Sequence, residues 1–331
     1  LAALHYLGPK FRYRTDFYLT KNRSLGIKGY GDPFLVSEEW LRIAQNLSQF
    51  PELPKQLNQV LFDTSIFTTK IKIPGIEFSK NPYDAQNGAL VVNFNTVFLK
   101  VDKQGFVSCA EEQTPLTPLA RRLGKDLSPG KHRISIPPDS GITYAGELVH
   151  AFLAQAGFSF DSGKVALTKI SSGDSLIYTH KNTSALTELI AGMLHYSNNF
   201  TANQLLLSIG LKRYGAPATL EKGIHALKEY LRDELGIPEQ QFQIAEGSGI
   251  SRKNRLTPGS IWQLLRAFSK RRNLLHGENG VLYKTGTLRG VSSMAGYLPG
   301  SKTRYFVILL NQPKNRRDEI LKLLLASDFS G

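Results

Sequence analysis

Apolar positions along the chain keep two rhythms. Leu1, Leu4, Tyr6 and Leu7 fall on one helical face, and Gly8 and Pro9 end that helix. Residues 11–19 then alternate apolar and polar positions, as a strand does. The run Gly29-Tyr30-Gly31-Asp32-Pro33 breaks the alternation, and Ser37 with Glu38, Glu39 and Trp40 opens a helix. Residues 60–73 and 90–107 favour strands, being rich in β-branched and aromatic side chains. Residues 114–138 contain Pro115, Pro118, Pro129, Pro137 and Pro138 and read as loop. A helical pattern covers 144–156 and a strand pattern 163–170.

Helical spacing dominates from Ser184, read as a cap. Leu186, Leu189, Ile190, Met193 and Leu194 share one face, which Ser197 continues. Further helices are expected over 201–211, 220–235 and 260–271. Residues 281–287, 291–298 and 304–311 read as three antiparallel strands, with tight turns at 288–290 and 299–301. Asn315 caps a last helix whose apolar face is Ile320, Leu321, Leu324 and Leu325. The pattern predicts an α/β (α+β) chain with a C-terminal antiparallel sheet flanked by helices. Helices near 1–7 and 316–326 are expected on one face of that sheet, and those of 184–271 on the other.

Composition narrows this picture. The chain has 331 residues, 41% of them apolar, enough for two domains with real cores. The longest apolar run, 305–310, is too short to span a bilayer, and no signal peptide is visible. Cys109 is the single cysteine, so no internal disulfide forms; a small, partly buried strand residue is the expectation there. The net charge is +14. Its basic clusters, such as Arg121-Arg122, Lys270-Arg271-Arg272 and Arg316-Arg317, are short and not interleaved with aromatics. That argues against nucleic acid as a partner: the charge reads mainly as solvated surface, with peripheral attraction to an anionic envelope as the lesser alternative. No metal site and no cofactor is expected.

Two polar motifs carry candidate chemistry. Lys284-Thr285-Gly286 lies on an expected strand followed by a hairpin. An edge strand there would pair with an extended peptide. Gly286 would let the peptide approach, Lys284 supplies charge, and the hydroxyls of Thr285 and Thr287 suit a carboxylate. Ser197-Asn198-Asn199 follows a helix. A hydroxyl there relays protons and the Asn199 amide binds a substrate carbonyl, although serine and asparagine at such a place also commonly act as caps.

Longer segments give these motifs context. Residues 193–203, Met-Leu-His-Tyr-Ser-Asn-Asn-Phe-Thr-Ala-Asn, are similar to the Ser-x-Asn segment of the D-alanyl-D-alanine carboxypeptidases/endopeptidases, the low-molecular-mass class C penicillin-binding proteins. Residues 246–258, beginning Glu-Gly-Ser-Gly-Ile-Ser-Arg, resemble that family's Asp-Gly-Ser-Gly-Leu-Ser-Arg segment. Residues 284–297 resemble its Lys-Thr-Gly segment, and residues 1–11 and 62–67 resemble further segments in order. The family usually has Asp where Asn198 stands, Glu at Asn203 and Asp at Glu246.

The resemblance implies a penicillin-binding transpeptidase fold with an inserted domain, here over 31–176, between parts 1–30 and 177–331. It implies a serine attack on D-Ala-D-Ala in peptidoglycan stem peptides, an acyl-enzyme, and a periplasmic or other extracytoplasmic location. Ser197 would pass the proton to the leaving D-Ala, and Lys284 would orient Ser197. The Thr287 N–H would form half of an oxyanion hole. The family's Ser-x-x-Lys nucleophile motif would fall upstream of Leu1. The internal match Ser128-Pro129-Gly130-Lys131 is a turn, which puts its serine and lysine on no common helical face. The expectation is therefore an inactive chain as it stands, reacting with β-lactams once such a segment is restored. The alternative is a non-catalytic stem-peptide-binding module on the same fold. A β-lactamase or esterase is a distant third, disfavoured by the long insertion.

Overall fold

A computed structural model describes residues 1–300 and 302–326. The first helix, Ala2–Leu7, ends at Gly8 with φ +89°, a conformation that suits glycine. Ala2, Ala3 and Leu4 are buried, and the helix packs on a later one, Asn199–Tyr214.

A five-stranded sheet follows, in the spatial order Ser175–Lys181, Arg14–Leu19, Leu25–Gly29, Val60–Asp63 and Val165–Leu167. The first three strands pair antiparallel and the last two join in parallel. Parallel pairing needs long crossovers, which the helices Ser37–Leu47 and Gly141–Gln155 supply. Their apolar faces, with Trp40, Ile43, Leu148 and Phe152, fill the largest core against Phe17, Ile27 and Phe62. A three-stranded sheet, Val107–Cys109, Thr96–Val101 and Gly130–Ser135, extends the same unit. The expected edges at 30 and 177 fall within the five-stranded sheet: Leu25–Gly29 pairs with Val60–Asp63 across the first, and the strand Ser175–Lys181 spans the second.

The C-terminal sheet is antiparallel, ordered Gly277–Glu278, Val281–Leu288, Val291–Leu298 and Arg304–Leu310. Met294, Phe306 and Ile308 face Ile320, Leu321 and Leu324 of the helix Arg317–Ala326. Tyr297, Ala295 and Val307 face the opposite way, towards Leu265 and Phe268 of the helix Pro258–Phe268. The Asn315 side chain accepts from the Arg317 N–H (3.1 Å), as a cap does. Ser301, in the second expected turn, lies outside the described residues.

Several expectations are corrected. The helix Ala2–Leu7 lies with the helical body rather than with Arg317–Ala326: Leu1 meets Leu265, Phe268 and Lys284 around one cavity. Its alanines, too small to reach across a gap, bury against Asn199–Tyr214 instead. Residues 90–95 form no strand. Asn93, Phe94 and Asn95 have φ between +51° and +59°, so the chain turns sharply while Leu90 and Val92 enter the core. Apolar burial without pleated backbone looks like a strand in sequence. Residues 114–138 hold a helix, Pro118–Gly124, as well as a strand. Pro118 occupies the first helical position, where its missing N–H costs nothing, and the Thr117 hydroxyl accepts from the Ala120 N–H (3.1 Å). The helix after Ser184 is Leu186–Tyr196, and the Glu188 carboxylate rather than Ser184 caps it, accepting from the Ala185 N–H (2.6 Å).

Candidate active site

Ser197 occupies a corner between two helices. Leu186–Tyr196 ends at Ser197 in the left-handed conformation (φ 51°, ψ 47°), and Asn199–Tyr214 begins two residues later. The Asn198 N–H donates back to the Met193 carbonyl (3.0 Å), while the Asn198 side chain accepts from the Thr201 N–H (2.9 Å). Asn198 is thus spent on capping, which turns the exposed Ser197 hydroxyl outward. The second helix has ten buried residues, so this corner stands on a rigid support.

Lys284 approaches from the sheet. Its Nζ donates to Ser197 Oγ and to the Thr285 carbonyl (2.9 Å). The two side chains are 87 positions apart in sequence. Partial burial holds the Lys284 ammonium below the ordinary lysine range, and the nearby Arg317 charge pushes the same way. Beyond Tyr283, whose N–H donates to the His276 carbonyl (3.0 Å), the strand Val281–Leu288 pairs with no strand on its outer side among the described residues, so positions 284–288 present a sheet edge. Arg317 holds the end of that edge: its Nη1 donates to Thr287 Oγ1 (2.9 Å) and to the Gly286 carbonyl (3.3 Å). A Cβ on Gly286 would lie 2.6 Å from Ser293 Oγ, its direct cross-strand neighbour. Thr285 is half-buried and Thr287 exposed.

Ser197 and Lys284 border two cavities of opposite character. A cavity of about 930 Å³ is lined by Ser197, Asn199 and Tyr196 on one side and by Phe34, Glu39 and Arg133 on the other. A second, of about 400 Å³, is lined by apolar side chains, among them Leu1, Leu194 and Leu265, with Lys284 its one charged group. The structure thus joins Lys284 directly to Ser197; Ser197 and Asn199 line the larger cavity, Lys284 lines the smaller one, and Thr285, Gly286 and Thr287 continue along the strand from Lys284. Ser128–Lys131 lies elsewhere, running from a loop into the strand Gly130–Ser135.

Two polar clusters beside the cleft escaped the site readings. The buried Glu246 carboxylate accepts from Ser248 N (2.7 Å), Ser248 Oγ (2.6 Å), Gly249 N (2.7 Å), Asn254 Nδ2 and Asn203 Nδ2 (3.1 Å). Asn203 returns a bond by accepting from the Gly247 N–H (2.7 Å). This pair ties the loop carrying Gly247-Ser248-Gly249 to the helix behind Ser197. The Asn203 amide can donate to the Glu246 carboxylate, which an ionised carboxylate at 203 could not do.

The second cluster centres on Glu39, which bonds His180 Nε2 (2.7 Å), Arg42 Nη1 (2.8 Å) and the Thr183 N–H (3.3 Å). Burial opposes its charge, but the bonds from His180 and Thr183 outweigh that and lower its pKa. Glu39 and His180 are 141 positions apart, and no spacing rule would pair them.

The profile of the D-Ala-D-Ala carboxypeptidase 3 (S13) family matches residues 1–117 and 130–277. The D-alanyl-D-alanine carboxypeptidase DacB of Haemophilus influenzae is 28% identical over 183 residues, 48% of this chain and 38% of that protein. A D-alanyl-D-alanine carboxypeptidase of an Actinomadura species is 26% identical over 216 residues, 54% of this chain and 40% of that protein. The chain spans about two fifths of the length of these curated relatives. The crystal structure of penicillin binding protein 4 (dacB) from Haemophilus influenzae superposes with a TM-score of 0.77 at 20% identity, covering 98% of this chain and 89% of that one. The same protein complexed with a β-lactam gives 0.71. The fold is therefore shared: an antiparallel sheet flanked by helices, with an inserted domain.

Proposed function

This chain belongs to the D-Ala-D-Ala carboxypeptidase 3 (S13) family, and from that premise we propose that it forms the substrate cleft of a serine-type D-alanyl-D-alanine carboxypeptidase/endopeptidase. The substrate is a peptidoglycan stem peptide, and the place of action is the periplasm or another extracytoplasmic space. The observation that carries the reading is the Lys284 Nζ donation to Ser197 Oγ. A lysine that donates there leaves the Ser197 proton free to point into the cleft, towards a departing D-Ala amine. The free edge at 284–288 pairs with the extended peptide. The Thr285 and Thr287 hydroxyls receive the terminal carboxylate, and Asn199 binds a substrate amide. The Thr287 N–H contributes to the oxyanion hole.

The nucleophile comes from a Ser-x-x-Lys helix joined ahead of Leu1. The apolar cavity beside Leu1 and Lys284 suits such a helix, and desolvation there would keep its lysine unprotonated as a base. The serine attacks the carbonyl, D-Ala leaves with the proton passed through Ser197, and water releases the acyl-enzyme. The inserted unit supplies the far wall of the larger cavity. The register of the five-stranded sheet supports edges for it near residues 13 and 182.

Intact-mass spectrometry after incubation with a fluorescent penicillin tests this. The 331-residue polypeptide is expected to show no stoichiometric adduct, and one extended by its Ser-x-x-Lys segment to show one. An adduct on the shorter polypeptide would place the nucleophile among residues 1–331. None on the longer one would favour a stem-peptide-binding module.

A further inference from the structure

Residues 247–317 contain fourteen Lys and Arg and a single acid, Glu278, so almost all of the net +14 resides in the C-terminal sheet and its neighbours. Clusters that are scattered in sequence gather at the sheet edge opposite Lys284. There Trp262, 41% exposed, carries the Arg266 guanidinium over its ring, 4.9 Å from the centroid. Tyr305, on the outermost strand, meets Trp262 edge-on at 6.3 Å. Arg272 donates to Thr303 Oγ1 (3.1 Å), which brings the short helical turn Ser269–Leu274 against the tip of the last hairpin. Lys302 stands on that tip, and Arg304 Nη2 donates to the Pro299 carbonyl (3.0 Å). None of Arg266, Lys270, Arg272, Lys302 and Arg304 has a carboxylate within 4.0 Å among the described residues.

We propose that this corner docks the protein on an anionic lipid surface. An exposed indole among unpaired lysines and arginines matches the bilayer interface, where the ring settles at headgroup depth and the cations face lipid phosphates. A soluble anionic polymer would use the cations and leave the indole without a role. The catalytic-cleft reading is not needed for this inference. Docking through the Arg304–Leu310 edge leaves the Lys284 edge, two strands away, facing outward. No helix among the described residues is long and apolar enough to cross a membrane, so the association argued for this face is peripheral.

Co-sedimentation with vesicles tests it, comparing phosphatidylglycerol mixed into phosphatidylcholine with phosphatidylcholine alone. Binding is expected only to the mixed vesicles and should weaken with added salt. Arg266→Gln, Lys270→Gln, Arg272→Gln and Lys302→Gln should each lower partitioning roughly fivefold. Lys314→Gln and Arg316→Gln, each the same loss of one charge elsewhere, should change it much less. The unmodified protein gives a second readout: Trp40 is fully buried, so quenching by bromine-labelled lipid reports on Trp262. Equal losses from both sets of substitutions, or no quenching, would overturn the proposal. So would retention by a sulfated dextran without vesicle binding, which would assign the corner to an anionic polymer.

Discussion

Asp32 shows how one buried charge links two parts of the chain. It is 3% exposed; its Oδ1 accepts from the Phe34 N–H (2.8 Å) and its Oδ2 from Asn182 Nδ2 (2.9 Å). These bonds hold the exit of one strand to the end of another, just behind Phe34 and Thr183 of the cleft wall. Burial raises its pKa from 3.8 to about 6, against the pull of those two hydrogen bonds. A raised carboxyl favours folding while it is protonated. Its contribution is complete below pH 3.8 and is lost as pH rises through about 6. The loss is on the order of 3 kcal/mol. Glu39 and Asp63 shift downward and act in the opposite sense, so the test is a difference. The stability of wild type minus that of Asp32→Asn, from urea unfolding, should fall between pH 4 and 7 by that order; parallel pH profiles would refute it. Nothing in the sequence marks this role, because Asp32 sits in Gly31-Asp32-Pro33, which reads as turn chemistry, and its partner lies 150 positions away. Ser197 and Lys284 were legible because each stands in a short motif inside a longer segment that resembles the family's, a context the motifs alone do not supply.

At the scale of elements, the helices Asn199–Tyr214 and Leu220–Glu229 make the closest approach that matters to the cleft. Two glycines allow it. A Cβ on Gly223 would lie 2.5 Å from the Leu206 carbonyl oxygen, and one on Gly210 would lie 2.5 Å from the Gly223 nitrogen. Both obstacles are backbone and cannot rotate away. Alanine is intrinsically better than glycine in a helix by about 1 kcal/mol, yet forcing packed helices apart costs roughly 1–3 kcal/mol. Gly223→Ala should therefore lower the urea midpoint, and a rise would show that the helices separate without strain. The three strands of the C-terminal sheet were legible because alternate residues enter two different cores, Met294 and Phe306 on one side, Tyr297 and Val307 on the other. Ser175–Lys181 was missed because its outer residues are polar or exposed and it is specified by pairing with Arg14–Leu19. The left-handed turn at 93–95 has a signal in Asn93 and Asn95, a residue type that tolerates positive φ, but the apolar Leu90, Val91, Val92 and Phe94 around them read as a strand.

For the molecule as a whole, charge distribution links the fold to the proposed chemistry. The excess of cations in 247–317 surrounds the sheet that carries Lys284, and part of it stands at the cleft end: Arg252 donates to the Arg289 carbonyl (2.6 Å), and Arg317 holds the edge at Gly286 and Thr287. The carboxylates nearest this sheet are few, so the field there is positive over distances longer than a hydrogen bond. A ligand ending in a carboxylate would be drawn in before it touches Thr285 or Thr287. The consequence is kinetic. In the polypeptide that carries its Ser-x-x-Lys segment, the second-order rate of acylation by an anionic penicillin should fall several-fold, ~3-fold or more, as salt shortens the Debye length from roughly 30 Å to below 10 Å. The same penicillin as a neutral ester should show little change. Arg289→Gln, at the exposed end of the edge strand, should flatten the salt dependence of the anionic form while sparing the rate with the ester. Equal salt dependence for the two ligands would mean that the charge serves only surfaces away from the cleft, and that Lys284 and the threonines capture their carboxylate by contact alone.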